Sequence, residues 1–234
     1  MKIALVGYGK MGRIIDTVAT ERGHEIVARL NATPSRESLA DAEVVIEFSK
    51  PEAALENSKQ CLELGLPVVC GTTGWLEKRT EIENIARQNN AAFLYGSNFS
   101  LGVNLFFELN AQLAKLMNSF PDYQVQLEEI HHTEKKDAPS GTAITIAERI
   151  IEQDERFNGW KLDRTLDNAL GIFAIRQDEV PGTHSVRYRS EVDEIEIKHT
   201  AFSRNGFATG AVIAAEWIRG RKGIFSVKDV LFDR

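Results

Sequence analysis

Apolar residues in the first hundred positions follow two alternating patterns, one typical of buried strands and the other typical of amphipathic helices. Short apolar runs predict strands at Lys2–Gly7, His24–Leu30, Glu43–Phe48, Pro67–Cys70 and Ala91–Leu94. Between these runs apolar residues recur at helical spacing, and the first such segment places on one face Met11, Ile14, Ile15, Val18 and Ala19. Regular alternation of strand and helix predicts an α/β fold with a parallel, doubly wound sheet of the Rossmann type.

The pattern changes near residue 101. A long amphipathic helix is predicted there, with an apolar face formed by Leu105, Phe106, Leu109, Leu113 and Leu116. Mostly alternating segments then predict strands at Gln124–Ile130, Ile172–Arg176, Ser185–Arg189 and Glu194–Lys198. Arg204–Phe207 is predicted as a turn, and Ala211–Ile218 as a helix that returns to the first domain. We therefore expect a dinucleotide-binding domain at 1–100, completed by 205–234, and a smaller α+β domain at 101–204 with an open, mixed and largely antiparallel sheet.

Three glycines follow the first predicted strand directly, in the order Gly7-Tyr-Gly9-Lys-Met-Gly12. A strand, this glycine spacing, a helix and a second strand within about thirty residues are typical of a dinucleotide-binding loop. Gly7 permits the tight turn, Gly9 lets a pyrophosphate reach the backbone, and Gly12 lets the helix pack closely on the strand. A tight turn without a ligand is the alternative, and the strand-helix-strand context disfavours it.

Further cofactor contacts are expected where the other parallel strands end, because ligands of such sheets bind beyond the carboxyl ends of the strands. The complete predicted set is Gly7, Tyr8, Gly9, Lys10, Met11, Gly12, Asn31, Phe48, Gly71, Thr72, Thr73, Ser97, Asn98 and Phe99. Asn31 stands where an acidic residue would bind the ribose 2′-hydroxyl of NAD, and an amide does not repel a 2′-phosphate. The sequence therefore leaves NADH and NADPH both open, with Ser35 and Arg36 as candidate phosphate contacts.

The segment His131–Ala143 sets two imidazoles, a lysine and a helix N-terminus side by side. Its candidate functional residues are His131, His132, Lys135, Ser140, Gly141 and Thr142. The two histidines lie at the end of a predicted strand, and Ser140 is the expected N-cap of the following helix. Backbone N–H groups of the first helical turn stabilise a carboxylate or phosphate, and Lys135 adds a full positive charge. This loop predicts a site for an anion that exchanges a proton.

Two other interpretations of the loop are a polar connection with two surface histidines and a zinc site. Clustering of two histidines and a lysine beside an anion-binding helix start disfavours the first. No second His or Cys stands at metal-ligand spacing on a helix, and Lys135 would repel a cation. We therefore expect no metal.

Composition limits the size of the core and the partners. With 234 residues and 43% hydrophobic content, the chain can bury one large core or two modest ones. A net charge of −6 argues against nucleic-acid and anionic-membrane partners. No run of about eighteen apolar residues occurs, and the first strand begins at Lys2, so neither a transmembrane span nor a signal or transit peptide is expected. Cys61 and Cys70 are expected to be reduced thiols of a cytoplasmic protein.

Taken together, the motifs resemble those of the dihydrodipicolinate reductase family, also called 4-hydroxy-tetrahydrodipicolinate reductases, over nearly the whole chain. Besides the glycine loop with Lys10–Arg13, the matching segments are Glu47–Pro51, Gly71–Gly74, Asn98–Asn104, Glu129–Thr142, Gly182–His184, His199–Arg204 and Phe207–Ala211. Two positions depart from the family pattern. The glycine loop is one residue shorter, and Asn31-Ala32 replace an acidic-then-basic pair at the end of the second strand.

The resemblance implies transfer of a hydride from NADH or NADPH to a cyclic imine that carries two carboxylates, with loss of its hydroxyl group, in diaminopimelate and lysine biosynthesis. One substrate carboxylate would then dock on a group of residues in the loop, namely Gly141 and Thr142 with Ser140, Lys135 and His132. His131, with an ordinary pKa near 6.5, is the expected proton donor, and Lys135 is a second candidate. The resemblance also implies a homotetramer assembled through the 101–204 domain.

Several alternatives stay open at this stage. A related amino- or imino-acid dehydrogenase, such as an aspartate dehydrogenase, would share the nucleotide-binding half, and a nucleotide-sensing protein would bind NAD(P) without turnover. A sensor has no need of paired histidines and a lysine beside an anion site. A monomer is the alternative to the tetramer if the helices near 101–117 and 141–152 cover both faces of the second sheet.

Overall fold

A computed structural model describes residues 1–232 and divides the chain into two compact units. The first unit comprises Met1–Leu101 and the chain from Asn205 onwards, and the second comprises Gly102–Arg204. Each unit has a hydrophobic core of its own.

The first unit is built on a six-stranded parallel sheet. Its strands are β1 (Lys2–Val6), β2 (Glu25–Leu30), β3 (Val44–Glu47), β4 (Val68–Cys70), β5 (Ala92–Tyr95) and β11 (Gly223–Ser226). Its helices are α1 (Lys10–Glu21), α2 (Pro51–Glu63), α3 (Arg79–Gln88), α6 (Asn205–Ile218) and α7 (Val227–Phe232), with a 3-10 turn at Leu76–Lys78. The strands pair in the order β11-β5-β4-β3-β1-β2, so the order changes direction at β1 and β3. Ligands of doubly wound sheets bind beyond the strand ends at this point.

Helices cover both faces of this sheet, because successive residues of each strand point to opposite sides. Ile3 and Leu5 of β1 belong to a buried cluster with residues of α1 and α6. Ala4 and Val6, which alternate with them, belong to a second cluster with residues of α2 and α3. The predicted doubly wound α/β unit is therefore confirmed.

The chain after Arg204 becomes helical earlier than its sequence suggests. α6 begins at Asn205, so the predicted turn over Arg204–Phe207 is wrong beyond its first residue. Asn and Gly favour turns, but packing overrides that preference here: a Cβ on Gly210 would lie 1.7 Å from the carbonyl oxygen of Phe99, so glycine lets α6 approach this backbone closely. β11 and α7 were not predicted, since they have only four and six residues.

The second unit combines a five-stranded mixed sheet with two helices. Its elements are α4 (Leu101–Met117), β6 (Gln124–His131), α5 (Gly141–Ile151), β7 (Trp160–Leu162), β8 (Leu170–Arg176), β9 (Gly182–Arg189) and β10 (Glu194–Ala201). The strand order is β10-β9-β6-β8-β7, with antiparallel pairing on the β9 side of β6 and parallel pairing on the β8 side. The sheet is mixed, as expected, but only half of its pairings are antiparallel, because β8 runs parallel to both of its neighbours.

The buried face of α4 differs from the predicted one. Leu105, Leu109 and Leu116 are 52%, 51% and 67% exposed. The helix buries Phe106 of the predicted face together with residues outside that face, namely Val103, Phe107, Asn110, Ala114 and Met117, and Leu113 is partly buried against the same core. Because α4 carries apolar residues around most of its circumference, spacing alone could not select the face that packs on the sheet.

Both helices of the second unit pack on the same face of its sheet. One cluster contains Phe106 of α4, Ile146 of α5, Leu127 of β6 and Val186 of β9. Leu127 lies opposite Val186 in the β6–β9 register, so residues at alternate positions, such as Gln126, belong to the other face. The arrangement that would favour a monomer, with one helix on each face, is therefore wrong.

Cys61 and Cys70 are buried and form no disulfide. Within residues 1–232, no helix has both the length and the apolar character needed to cross a membrane.

Candidate active site

Close backbone contacts shape the glycine loop of the first unit. Gly7 has a φ of +96°, and a Cβ there would lie 2.1 Å from the carbonyl oxygen of Phe48. A Cβ on Gly12 would lie 2.2 Å from the carbonyl oxygen of Gly7. Larger side chains at these positions would separate the loop from its neighbours. A Cβ on Gly9, in contrast, would meet no atom within 4 Å, and Gly9 lines a cavity, so space for a ligand lies against its backbone.

Two cavities, of about 460 Å³ and about 330 Å³, meet at Gly9 beyond the ends of β1 and β3. Most of the predicted cofactor residues line them, namely Gly7, Gly9, Lys10, Met11, Asn31, Phe48, Gly71, Thr72 and Thr73. Further lining residues absent from the predicted set include Thr33, Ser49, Lys50 and Asn57. The signal for Thr33, Ser49 and Lys50 was only their position shortly after a strand, and Asn57 lies within α2. A glycine-lined space of this kind fits a dinucleotide.

The other predicted cofactor residues, Tyr8, Gly12, Ser97, Asn98 and Phe99, do not line these two cavities. The Tyr8 hydroxyl donates a hydrogen bond to Asp16, whose carboxylate also pairs with Arg29 at 2.6 Å. Phe99 is buried, and its ring centroid lies 5.6 Å from that of Phe48. Tyr8 and Phe99 thus belong to the packing around the cavities.

Asn31 occupies a defined orientation at the larger cavity. Its Oδ1 accepts a hydrogen bond from the backbone N–H of Tyr8 at 2.8 Å. The amide NH₂ is therefore the part of Asn31 that can donate to a ligand. Ser35, by comparison, is hydrogen-bonded to Ser38 within its own turn, and neither Ser35 nor Arg36 lines the cavity.

The buried carboxyl group of Glu47 forms hydrogen bonds with two residues that line the cavities, Ser49 and Thr72. Glu47, the last residue of β3, accepts hydrogen bonds from the Ser49 hydroxyl and, at 3.2 Å, from the Cys70 thiol. Burial raises the pKa of Glu47 above its usual value. The backbone N–H of Ser49 also donates to Thr72 Oγ1 at 2.8 Å, so this network joins the loops that follow β3 and β4.

In the second unit, β6 ends in a polar cluster on its buried face. Val125 and Leu127 belong to the core, and Glu129 and His131 follow on the same face, also buried. The sheet register sets Glu129 opposite His184 of β9 and sets His131 opposite Arg176 of β8. Sequence reasoning did not select Glu129, His184 or Arg176 as functional. The available signal was a charged residue at a position where strand alternation requires burial.

The helix start predicted at Ser140 is present. Ser140 is the N-cap of α5, and its hydroxyl accepts a hydrogen bond from the Ala143 backbone N–H at 3.1 Å. Its own backbone N–H donates to both Glu129 carboxylate oxygens at 3.1 Å, and its hydroxyl lies 3.2 Å from His184 Nε2. Gly141 is exposed at the first position of the helix, where the dipole favours an anion.

Lys135 already has an anionic partner in the loop. Its ammonium group donates to both oxygens of Asp137 at 2.8 Å, although Asp137 was not a predicted site residue. His132 is partly exposed, and its carbonyl oxygen accepts a hydrogen bond from the Lys135 backbone N–H at 3.1 Å. The loop thus presents a partly buried cation close to the helix N-terminus in sequence.

Glu129 and His131 have perturbed pKa values. Burial alone would raise the pKa of Glu129, but hydrogen bonding to His184 and Ser140, together with the charge that His131 carries at low pH, lowers it to about 2. Burial lowers the pKa of His131 to about 4; the Glu129 carboxylate opposes this change, and electrostatic interaction with His184, Lys135 and Arg176 adds to it. With a pKa of about 4 the imidazole is neutral at pH 7, whereas the proton-donor prediction for His131 assumed its ordinary value; the donor role itself stays a prediction.

Glu129, His131 and His184 each offer one ligand atom within 4.8 Å of the other two. That spacing alone would suit a metal ion. The Arg176 guanidinium, however, lies 3.3 Å from Glu129, and a positive charge at this distance disfavours a cation. We keep the absence of a metal as a sequence-based expectation.

Both units match models of one protein family. Residues 1–99 match the description "Dihydrodipicolinate reductase, N-terminus", and residues 102–231 match "Dihydrodipicolinate reductase, C-terminus". The chain is 50% identical to the 4-hydroxy-tetrahydrodipicolinate reductase of Christiangramia forsetii over 100% of this chain and 98% of that protein. It is 35% identical to the enzyme of the same name from Thermosipho africanus, over 99% of this chain and 98% of that protein.

Solved structures agree on the fold. The dipicolinate-bound dihydrodipicolinate reductase from Paenisporosarcina sp. TG-14 superposes with a TM-score of 0.77 at 21% identity, over 98% of each chain. Two family models that together span almost the entire sequence, and a relative identical at half of the aligned positions, lead to one assignment. The chain belongs to the dihydrodipicolinate reductase family.

Proposed function

We propose that the chain reduces 4-hydroxy-tetrahydrodipicolinate to tetrahydrodipicolinate with NADH or NADPH, in lysine and diaminopimelate biosynthesis. The observation that carries this proposal is the loop after β6, where His131, Lys135 and the N-terminus of α5 stand together. The test is an assay with the product of dihydrodipicolinate synthase, in which oxidation of the nicotinamide is followed by absorbance. Turnover of oxaloacetate with ammonia instead would identify an amino-acid dehydrogenase, and nucleotide binding without turnover would identify a sensor.

The substrate carboxylate is the anion that we assign to this loop. A carboxylate at Gly141 and Thr142 would gain from the helix dipole, and Lys135 supplies a charge-assisted hydrogen bond. Lys135 exchanges its Asp137 partner for the substrate in this scheme. His132 and Ser140 complete the set, with Ser140 acting through the cap that fixes the first turn of α5.

The proton that accompanies the hydride is assigned to Lys135. The net reaction adds a hydride and a proton to the substrate and releases its hydroxyl group as water. A neutral imidazole does not donate a proton readily at pH 7, and the pKa of His131 is about 4. We therefore assign to His131 the role of a neutral hydrogen-bonding group that orients the substrate, in place of the donor role that its ordinary pKa suggested.

The cofactor fits the glycine-lined cavities of the first unit. It supplies the hydride when bound. Gly7, Gly9 and the following residues of α1 would hold the pyrophosphate at the helix N-terminus. Asn31 would donate to the ribose hydroxyl of NADH or to the 2′-phosphate of NADPH, and Lys50 adds positive charge to the cavity lining.

Cofactor selection gives a first prediction. We expect NADH and NADPH to work within roughly tenfold of each other, a difference of about 1.4 kcal/mol. Asn31→Asp keeps the oxygen that accepts from Tyr8 and replaces the NH₂ group by a second carboxylate oxygen. Repulsion of the 2′-phosphate should then lower kcat/KM for NADPH relative to NADH by about tenfold or more.

The measurement is kcat/KM for both cofactors in each variant. Asn90→Asp makes the same chemical change at an exposed site after α3 and should leave the ratio unchanged. If kcat/KM of the wild type is more than about a hundredfold lower with NADPH than with NADH, the assignment of Asn31 to the ribose is wrong.

We also propose a homotetramer that pairs the open faces of the second sheet. Support comes from the packing of α4 and α5 on one face, which leaves the other to the strands. Ile175, which lies opposite Ile130 in the β6–β8 register, is 41% exposed there. Symmetric pairing of sheet faces would bury such residues without further secondary structure. The unpaired cysteines agree with a cytoplasmic location, which we propose as well.

The assembly is tested by sedimentation equilibrium, with a four-chain mass as the expected result. Ile175→Asp should dissociate the tetramer, because it places a charge in the contact between sheets. Leu116→Asp, on the exposed side of α4, should leave it intact. A one-chain mass for the wild type, or dissociation by the α4 variant alone, contradicts this arrangement.

A further inference from the structure

We propose that Glu129 and Arg176 form a clamp that positions the substrate loop, defined as residues 132–140, and the adjacent His131. The inference rests on the proposed function of that loop. Neither residue is assigned to contact the substrate; each acts through groups that are, so both are positioning residues.

The carboxylate of Glu129 is the buried centre of the clamp. Its side chain is fully buried, yet its pKa is held to about 2, so it is ionised at neutral pH. An ionised group in the interior needs partners on every side. It has the Ser140 backbone N–H at 3.1 Å, the Arg176 guanidinium at 3.3 Å, His131 Nδ1 at 3.4 Å and His184 Nε2 at 3.7 Å.

Arg176 extends the clamp to the middle of the substrate loop. Its guanidinium donates to the carbonyl oxygen of Asp137 at 2.7 Å and to that of Lys135 at 3.3 Å, in addition to its contacts with Glu129. The planar fork of arginine can satisfy several acceptors in fixed directions at once. One guanidinium thus ties the backbone on both sides of Lys136 to the end of β6.

The two residues together hold the substrate loop at both of its functional parts. Glu129 fixes the N-cap Ser140, which sets the position of the first turn of α5. Arg176 fixes the backbone of Lys135 and Asp137. Catalytic groups must be held closely in place for a reaction to be fast, so loss of the clamp should weaken substrate binding and turnover together.

The clamp also constrains His131. The imidazole Nδ1 lies 3.4 Å from Glu129 Oε2 without forming a hydrogen bond of good geometry. A Cβ on Gly182 would lie 3.1 Å from Nε2, so the absence of a side chain at Gly182 leaves room for the ring beside β9. If the Glu129 carboxylate were removed, the His131 ring would still lie near the positive charge of Arg176, but the negative charge that offsets it would be lost.

The first test replaces Glu129 by glutamine, which keeps the size of the side chain and removes its charge. We expect dipicolinate to bind at least about tenfold more weakly, and KM for the substrate to rise with a fall in kcat, because charge-assisted hydrogen bonds are lost. Binding of NADH alone, measured by fluorescence, should stay within about twofold of wild type, since the cofactor residues belong to the other unit. Glu191→Gln removes the same charge from the exposed turn between β9 and β10, outside the substrate loop, and should leave dipicolinate binding, KM and kcat at their wild-type values.

Arg176→Lys is the second test, and it can be carried out even if the Glu129→Gln variant does not fold. Lysine keeps the charge but cannot reach the carboxylate and two carbonyl oxygens together. We expect at least about tenfold weaker dipicolinate binding in this variant too. If the two residues act as one clamp, the double variant should bind dipicolinate about as weakly as either single variant; additive losses would indicate unrelated structural damage.

The outcomes separate this inference from the proposed function. A wild-type chain without reductase activity and without dipicolinate binding overturns the function itself. An active wild type, with folded Glu129→Gln and Arg176→Lys variants that bind dipicolinate like wild type, overturns the clamp alone.

Discussion

Lys135→Ala is expected to lower kcat by roughly 10²- to 10⁴-fold, the usual scale for a lost proton donor. The reason is the proposed donor role of Lys135: burial lowers the pKa of His131 to about 4, so its imidazole is neutral at pH 7, and we propose the Lys135 ammonium as the donor instead. The same variant should bind dipicolinate more weakly and raise KM, since the ammonium group also provides charge for the carboxylate.

Lys136→Ala provides a matched control. Lys136 is the next residue along the chain and is exposed. The Lys136→Ala variant should therefore retain the wild-type kcat, KM and dipicolinate affinity. Steady-state kinetics and calorimetric titration of dipicolinate measure these values. If Lys135→Ala binds dipicolinate like wild type, Lys135 does not bind the carboxylate. If its kcat is unchanged, Lys135 is not the proton donor.

The sequence predicted the nucleotide-binding unit well because several local signals agree there. Apolar runs, glycine spacing and helical periodicity each indicated the same βα order, and the six-stranded parallel sheet matches it. Its last strand, β11, was not predicted, because its four residues are all partly exposed and show no clear alternation of apolar and polar positions. α6 begins at Asn205, earlier than the turn preference of Asn and Gly indicated, and it packs closely on the Phe99 backbone at Gly210.

Tertiary contacts decided what the sequence could not. On α4, apolar residues surround most of the helix, and only packing on the sheet selects the side that buries Phe107 and leaves Leu109 and Leu116 exposed. In the sheet of the second unit, parallel pairing of β8 with β6 depends on contacts between residues far apart in sequence. Periodicity within one segment contains no information about either choice.

The substrate loop illustrates the same division. The cap at Ser140 and the strand end at His131 followed from the local sequence, and both are present. The partners of these residues come from β8 and β9, so the pKa of His131 could not be read from its neighbours in the chain. Glu129 offered the one local hint, because it continues the buried alternation of Val125 and Leu127 with a carboxylate.

His131→Ala is expected to lower kcat by roughly 10²- to 10³-fold, the scale for losing one hydrogen bond that matters in the transition state. Nδ1 of the ring faces the Glu129 carboxylate, so Nε2 is the nitrogen that would contact the substrate in the role we propose. His131→Gln can place an amide group near the position of Nε2, and we expect it to recover part of the activity.

The pH dependence of kcat/KM distinguishes the neutral role of His131 from a donor role. A histidine in the free protein with a pKa of about 4 is already deprotonated above that value, so it should contribute no ionisation between about pH 5.5 and 8. His131→Ala should therefore lower the whole profile in this interval without changing its shape. If the imidazolium were the donor, wild-type kcat/KM would instead fall about tenfold for each unit of pH above 4, and His131→Ala would abolish that slope. If wild type shows such a slope and His131→Ala does not, His131 is the proton donor and the assignment of this role to Lys135 is wrong.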